Sequence, residues 1–180
     1  MKINFKNKAE IICLVKRCPL YYEAERIKKE IAAKRKIRIP FYLDLEELNE
    51  ILKFKLQNQY NRQKSLRQIN ENQTIKDITK LALNIKTENP EYMDEIRIKL
   101  LSTMKGINVP TASAILALVF PKKYAIIDRR TWRYLNPDNK KTSFTINDYL
   151  SYLKVIRNCS KELSIDPQLI DMALWQKDFE

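Results

Sequence analysis

Glycine is all but missing from this chain: Gly106 is the one glycine in 180 residues. A sequence that does without glycine elsewhere and keeps it at one point needs a positive φ there, or backbone with no side chain over it. Histidine is absent, which removes histidine-ligated zinc sites and a histidine-based acyl-transfer triad. Cysteine is scarce: Cys13, Cys18 and Cys159 are odd in number and scattered, with no Cys-x-x-Cys. That usage predicts reduced thiols in a cytoplasmic protein rather than a disulfide frame. No apolar run reaches the roughly 20 residues that span a bilayer, so no membrane partner is expected. The opening MKINFKNKAEIICLVK is interrupted by Asn7, Lys8 and Glu10 before an apolar core develops, which argues against a secretory signal.

Charge, in contrast, is plentiful and one-sided. The residues are 31% charged with a net charge of +12, which points to a polyanionic partner, most often nucleic acid. A basic protein from a lysine-rich, glycine-poor proteome would look the same by charge alone. The length suits one domain, or two interlocked lobes, with a substantial core.

Hydrophobic spacing reads as helices nearly throughout. Leu20, Ala24, Ile27 and Ile31 predict an amphipathic helix over 20–36 after Pro19. Its tail, Lys34-Arg35-Lys36-Ile37-Arg38, is either a phosphate track or a solvated helix end. Pro40 breaks the pattern, and Asp44 is a candidate N-cap for a helix carrying Leu48, Ile51, Leu52, Leu56 and Tyr60 that extends to about Ile69. After a loop at 70–73, Thr74 can cap a helix bearing Ile75, Ile78, Leu81, Ala82 and Ile85, and a second loop at 87–90 precedes one bearing Met93, Ile96, Leu100, Leu101 and Met104. Asn136 to Lys140 is turn chemistry. Asn147 or Thr145 starts a long helix along Tyr149, Leu150, Leu153, Ile156, Cys159 and Leu163, and a last one opens near Asp166-Pro167 and ends in Asp171-Met-Ala-Leu-Trp175. Strand signals are confined to 37–43 and 124–127, so the predicted fold class is all-α.

The organising stretch is 100–135, LLSTMKGINVPTASAILALVFPKKYAIIDRRTWRYL. Gly106 sits in a turn between two apolar helical patterns. Asn108 is the next most tolerant type for a left-handed conformation, and Pro110 suits the first turn of a new helix. From Gly106 to Pro121 there is no charged residue, as in a helix buried at the centre of a domain. After Pro121 comes a short extended segment, Tyr124-Ala-Ile-Ile127, and then Asp128 opens a helix.

The Leu-Leu-x-x-Met-Lys-Gly-Ile-Asn-x-x-x-Ala-x-x-Ile-Leu run resembles a helix-hairpin-helix motif. The Ile-Ile-Asp-Arg-Arg-x-x-x-Arg that follows is similar to the aspartate-bearing segment of the HhH-GPD superfamily of DNA base-excision glycosylases. The resemblance implies a two-lobed helical fold with a central hairpin. One lobe is then 44–144, holding the hairpin (about 91–120) and the Asp128 segment, and the other is 1–43 with 145–180, the base lying in the cleft between them. It also implies excision of a damaged or modified base from duplex DNA in base-excision repair, by a monomeric, cytoplasmic enzyme, nucleoid-associated if bacterial. Two positions depart from the family pattern. Asn108 replaces the hairpin's second glycine, and Pro110 stands where bifunctional members carry a nucleophilic lysine, so the implied enzyme is monofunctional. The cysteine set excludes the four-cysteine iron-sulfur loop of some relatives, and no cofactor is expected beyond a monovalent cation at the hairpin.

Asp128 is the candidate catalytic residue. Hydrolysis of an N-glycosidic bond passes through a cationic sugar, and a carboxylate beneath it stabilises the charge and orients or deprotonates water. A plain N-cap explains an aspartate before Arg-Arg-Thr-Trp equally well. DNA contacts are expected from Lys105, from the N–H groups of Gly106, Asn108 and Thr111 at a helix start, and from Arg129; Arg130 and Arg133 fit phosphate contact or a solvated surface alike. A flipped base needs flat apolar partners. Phe54, Trp132 and Trp175 are the candidates, with Phe41 and Tyr42 behind them, although aromatics at helical spacing are more often core. Phe54-Lys55 also resembles a Trp-Lys pair of some relatives, and Asp171 to Trp175 a C-terminal signature. The alternative function is a noncatalytic DNA- or RNA-binding protein that keeps the hairpin alone.

Overall fold

A computed structural model describes residues 3–139 and 141–179; Lys140, the end of the predicted turn, lies outside them, as do Met1 and Lys2 of the opening segment. Among the described residues the chain is helical with no strand, and no helix is long and apolar enough to cross a membrane. In order, the helices are α1 (Lys8–Arg17), α2 (Tyr21–Ile37), α3 (Leu45–Leu56), a 3-10 segment (Gln57–Gln63), α4 (Lys64–Arg67), α5 (Asn72–Asn84), α6 (Pro90–Leu101), α7 (Val109–Val119), α8 (Arg129–Leu135), α9 (Ile146–Leu163) and α10 (Pro167–Phe179).

Short polar residues set the helix starts. Asp44, Asn108, Asp128 and Thr145 each close a capping box with the residue three positions on, and Asn89 accepts from Glu91 N and Tyr92 N before Pro90. Each such cap is worth about 1 kcal/mol against alanine. Thr145, rather than Asn147, therefore opens α9.

α7 is the centre. All its residues except Pro110 are buried, and it packs against α2, α3, α6 and α9. α10 closes the other side against α1, α8 and α9. The buried residues form one continuous core, and α2 packs on α3 across the expected lobe boundary at 44.

Several expectations are corrected. The helix from Leu45 stops at Leu56, because Gln57 turns to φ 48° and ψ −126° and the chain continues as a 3-10 segment. α5 starts at Asn72 instead of being capped by Thr74; Asn72 Oδ1 instead accepts from Leu45 N at 2.9 Å. α10 runs past Trp175 to Phe179. Asn108 is not left-handed: at φ −104° it is the cap of α7, and Gly106, at φ +73°, takes the left-handed position alone. Neither 37–43 nor 124–127 finds a strand partner. α1 was not expected; Asn7 caps it and Ile11, Leu14 and Val15 anchor it, with Cys18 buried just beyond.

The unpartnered extended segment before Asp128 is what positions the site. Buried backbone needs hydrogen-bond partners, and side chains from four helices supply them. Tyr149 OH donates to Ala125 O (3.2 Å) and Tyr152 OH to Ile126 O (3.1 Å), both from α9. Ile126 N donates to Asp171 Oδ2 of α10, Ile127 N to Ser113 Oγ of α7 (3.1 Å), and Lys55 Nζ of α3 to Ile127 O (3.4 Å). Upstream, the Arg157 guanidinium pairs with the buried Asp94 carboxylate and donates to Lys123 O (2.9 Å), while Arg97 donates to Tyr124 OH (2.9 Å). Burial and the adjacent Asp94 push the Tyr124 phenol up to about 12, so it stays a neutral hydroxyl.

Candidate functional site

Asp128 ends that extended segment and caps α8. Its Oδ1 accepts from Arg130 N (2.9 Å) and Thr131 N (3.0 Å), which fixes the carboxylate plane. Its Oδ2 is left for Lys55, whose Nζ lies 3.2 Å away. The start of a helix also favours a negative charge at this position.

The carboxylate opens onto a cavity of about 440 Å³, counting its mouth, with walls from α3, α8, α10 and the ends of α1 and α2. Phe54, Lys55, Ile126, Asp128, Asp171 and Trp175 line it, joined by Cys18, Gln168 and Met172. Phe54 is buried and Trp175 half-buried at the wall, where Trp175 stacks on Phe179 with centroids 5.7 Å apart. The Arg130 guanidinium sits 5.0 Å from the Trp175 ring, which stiffens that wall. Cys18 is buried, and desolvation pushes its thiol up, so it presents a neutral, weakly polar surface.

Comparison with protein-family models, with characterised proteins and with solved structures returns no match for this chain. The geometry and the chemistry of the residues therefore carry the functional reading.

The structure brings three of the candidates together around the cavity: Asp128, Phe54 and Trp175. Trp132 is not among its lining residues; its ring packs against Phe144 at 5.4 Å with Lys141 over it. Phe41 and Tyr42 lie elsewhere, under the Arg38 guanidinium. The basic run at 34–38 is largely engaged in the fold. Lys34 and Arg38 both reach Glu47 at 2.7 Å, and Arg35 donates to Val119 O at 2.9 Å.

The turn between α6 and α7 differs from an open phosphate seat. A Cβ on Gly106 would lie 2.6 Å from Arg67 Cγ, so the space over the glycine is filled by the buried Arg67 side chain. Asn70 clamps the turn from outside, its Oδ1 accepting from Lys105 N and its Nδ2 donating to Lys105 O, both at 2.8 Å. Asn108 N donates to Thr111 Oγ1 (2.8 Å) and Thr111 N to Asn108 Oδ1 (3.2 Å), so both N–H groups are engaged within the capping box. The Lys105 and Arg129 side chains are exposed. Ser113, in the second turn of α7, bonds Ile127 and ties the hairpin helix to the residue before Asp128.

Gln168 and Lys28 were not singled out from the sequence, and Asp171 appeared only within a resemblance. A signal was present. Gln168, Asp171, Met172 and Trp175 stand at i, i+3, i+4 and i+7 of α10, one helix face, and all four line the cavity. Two buried polar residues on that face mark a wall that meets something other than core. Asp171 is buried, and desolvation pushes its carboxyl well above the usual carboxylate range. The Ile126 N–H works against that, the nearby Asp128 charge reinforces it, and Lys55 and Lys28 oppose it.

Proposed function

We propose that this protein is a monofunctional DNA N-glycosylase of the helix-hairpin-helix type, with a two-lobed fold, that removes a damaged or modified base through Asp128. The observation that carries the reading is the division of labour within one carboxylate. Oδ1 is held by the backbone of α8 while Oδ2 pairs with Lys55, and the residue lines a cavity together with Phe54, Lys55 and Trp175. A plain cap needs no cavity. A base turned out of the duplex would occupy the apolar part, leaving its sugar at the mouth over Oδ2. As the C1′–N bond breaks, its electron pair leaves with the base. The carboxylate offsets the positive charge on the sugar while water forms the new C1′–O bond and gives up a proton to Asp128 or to solvent. Lys55 holds the carboxylate toward the cavity. The family resemblance at 100–135 and the net charge of +12 support DNA as the partner, with the exposed Lys105 and Arg129 side chains as backbone contacts.

The test is incubation with duplexes carrying a broad panel of altered bases, followed by alkali to cut at abasic sites. Alkali-labile strands that disappear with Asp128→Asn are the expected result. Salt-sensitive binding with no strand breakage across the panel would overturn the enzymatic reading. The second reading, a noncatalytic nucleic-acid-binding protein, is favoured by one observation: Asp128 closes a full capping box with Thr131 and pairs with Lys55, so a structural role accounts for both of its oxygens.

A further inference from the structure

The cavity wall holds a polar group that the protein leaves without a partner. Gln168 is fully buried in the first turn of α10 and lines the cavity. Its Oε1 accepts from Lys28 Nζ of α2 at 2.8 Å, and Lys28 is itself held by Glu25. Its Nε2 has no hydrogen-bond partner. An ammonium can only donate, so Lys28 fixes which way the amide turns: oxygen toward Lys28, N–H away from it. A buried donor without an acceptor costs about as much as a lost hydrogen bond, and in a residue that lines the cavity it is met when an occupant reaching that wall supplies the acceptor.

We propose that the cavity selects bases by a carbonyl edge, with Gln168 Nε2 donating to a ring-carbonyl oxygen and Lys28 acting as the positioning residue that keeps a donor facing the occupant. This deepens the glycosylase reading and rests on it. The substrate class is then oxo bases, those of the uracil, thymine, hypoxanthine or guanine kind. With the 4-position of a pyrimidine or the 6-position of a purine turned to Gln168, a cytosine- or adenine-type base brings an amino group to the same spot, where two donors meet. The neighbouring wall agrees. Burial favours the neutral, hydrogen-bearing form of Asp171, whose Oδ2 is taken by Ile126 N, so its other oxygen can also donate. Gln57, exposed at the mouth, is free to turn either group inward.

The experiment uses the full chain and duplexes in which the test nucleotide carries a 2′-fluoroarabino sugar, so binding is read without cleavage. Two pairs differ at one group each: uracil against cytosine, and hypoxanthine against adenine. We expect the oxo member to bind about 10- to 100-fold more tightly, the discrimination one unmatched buried donor provides. Gln168→Glu, which keeps the shape and turns an acceptor to the cavity while its other oxygen stays on Lys28, should invert the preference. Lys28→Met, which frees the amide to rotate, should bring the ratio near unity. Because each readout is a ratio within one protein sample, partial misfolding lowers both members equally and leaves it intact. Equal binding within both pairs by the unmodified protein, or an oxo preference that survives Gln168→Glu, overturns the proposal. Failure here and failure of the enzymatic reading are separable. Excision without oxo preference sinks this inference alone, whereas oxo preference without excision on any duplex sinks the catalytic role of Asp128.

Discussion

The carboxyl of Asp171 gives a stability test that needs no substrate. It is buried on α10, accepts from Ile126 N and lies close enough to Asp128 for the two charges to repel. Its folded-state pKa lies above the unfolded value of about 3.9, so the folded state holds this proton more tightly than the unfolded chain does. The contribution is therefore complete below about pH 4 and is lost as pH rises toward the folded-state value, at about 1.4 kcal/mol per pH unit inside that window. Asp171→Asn keeps a carbonyl for Ile126 N and cannot ionise. Urea unfolding of both proteins at pH 4.5, 6 and 7.5 should show the variant gaining on the parent as pH rises, by at least about 1 kcal/mol across the series. Groups such as Glu10, Glu47 and Asp148, whose pKa values are lowered by their partners, give the opposite slope, but they are common to both proteins and cancel in the difference. Asp171→Leu should be about 1–3 kcal/mol less stable than Asp171→Asn at every pH, because it strands the Ile126 N–H. A difference between parent and Asn variant that does not change with pH would refute the assignment of a neutral carboxyl to this wall.

Gly106→Ala should destabilise by about 1–3 kcal/mol, since it combines φ +73° with a Cβ 2.6 Å from Arg67 Cγ; a thermal-melt double-mutant cycle with Arg67→Ala should recover part of the loss, and strict additivity would deny the contact. Ser164→Gly, at the left-handed position ending α9 (φ 50°, ψ 51°), should stabilise by about 0.5–1 kcal/mol in chemical denaturation. Incubation with damaged or abasic duplex and borohydride should leave no covalent protein–DNA adduct, Pro110 having no side-chain amine. An adduct lost on Lys55→Gln would instead make Lys55, 3.2 Å from Asp128, a nucleophile.

What the sequence made legible was local. Asp44, Asp128 and Thr145 stand at helix starts because a short side-chain acceptor at a helix start needs only its own neighbours, and the uncharged run ending at Pro121 could only be interior. α1 carries the same kind of local signal, its Ile11, Leu14, Val15 and Cys18 being at i, i+3, i+4 and i+7. Asp128, Phe54 and Trp175 were named and meet at the cavity, while Trp132, equally aromatic, went to the core against Phe144. The rest depends on juxtaposition across the chain. Nothing near Gly106 announces that Arg67 covers it. Nor does anything near Gln168 reveal that Lys28, 140 residues earlier, orients its amide. The end of α3 was misread because Gln57 adopts a backbone conformation that its residue type does not advertise.

The most direct trial of the account compares single-turnover base excision by the parent protein and Asp128→Asn on the best substrate from the panel, with binding to the same duplex measured alongside. Asn keeps the cap to Arg130 and Thr131 and removes only the charge facing the cavity, so excision should fall by roughly 10²- to 10⁴-fold while affinity changes by less than a few fold. An Asn variant that cuts within a few fold of the parent would leave Asp128 as nothing more than the first residue of α8.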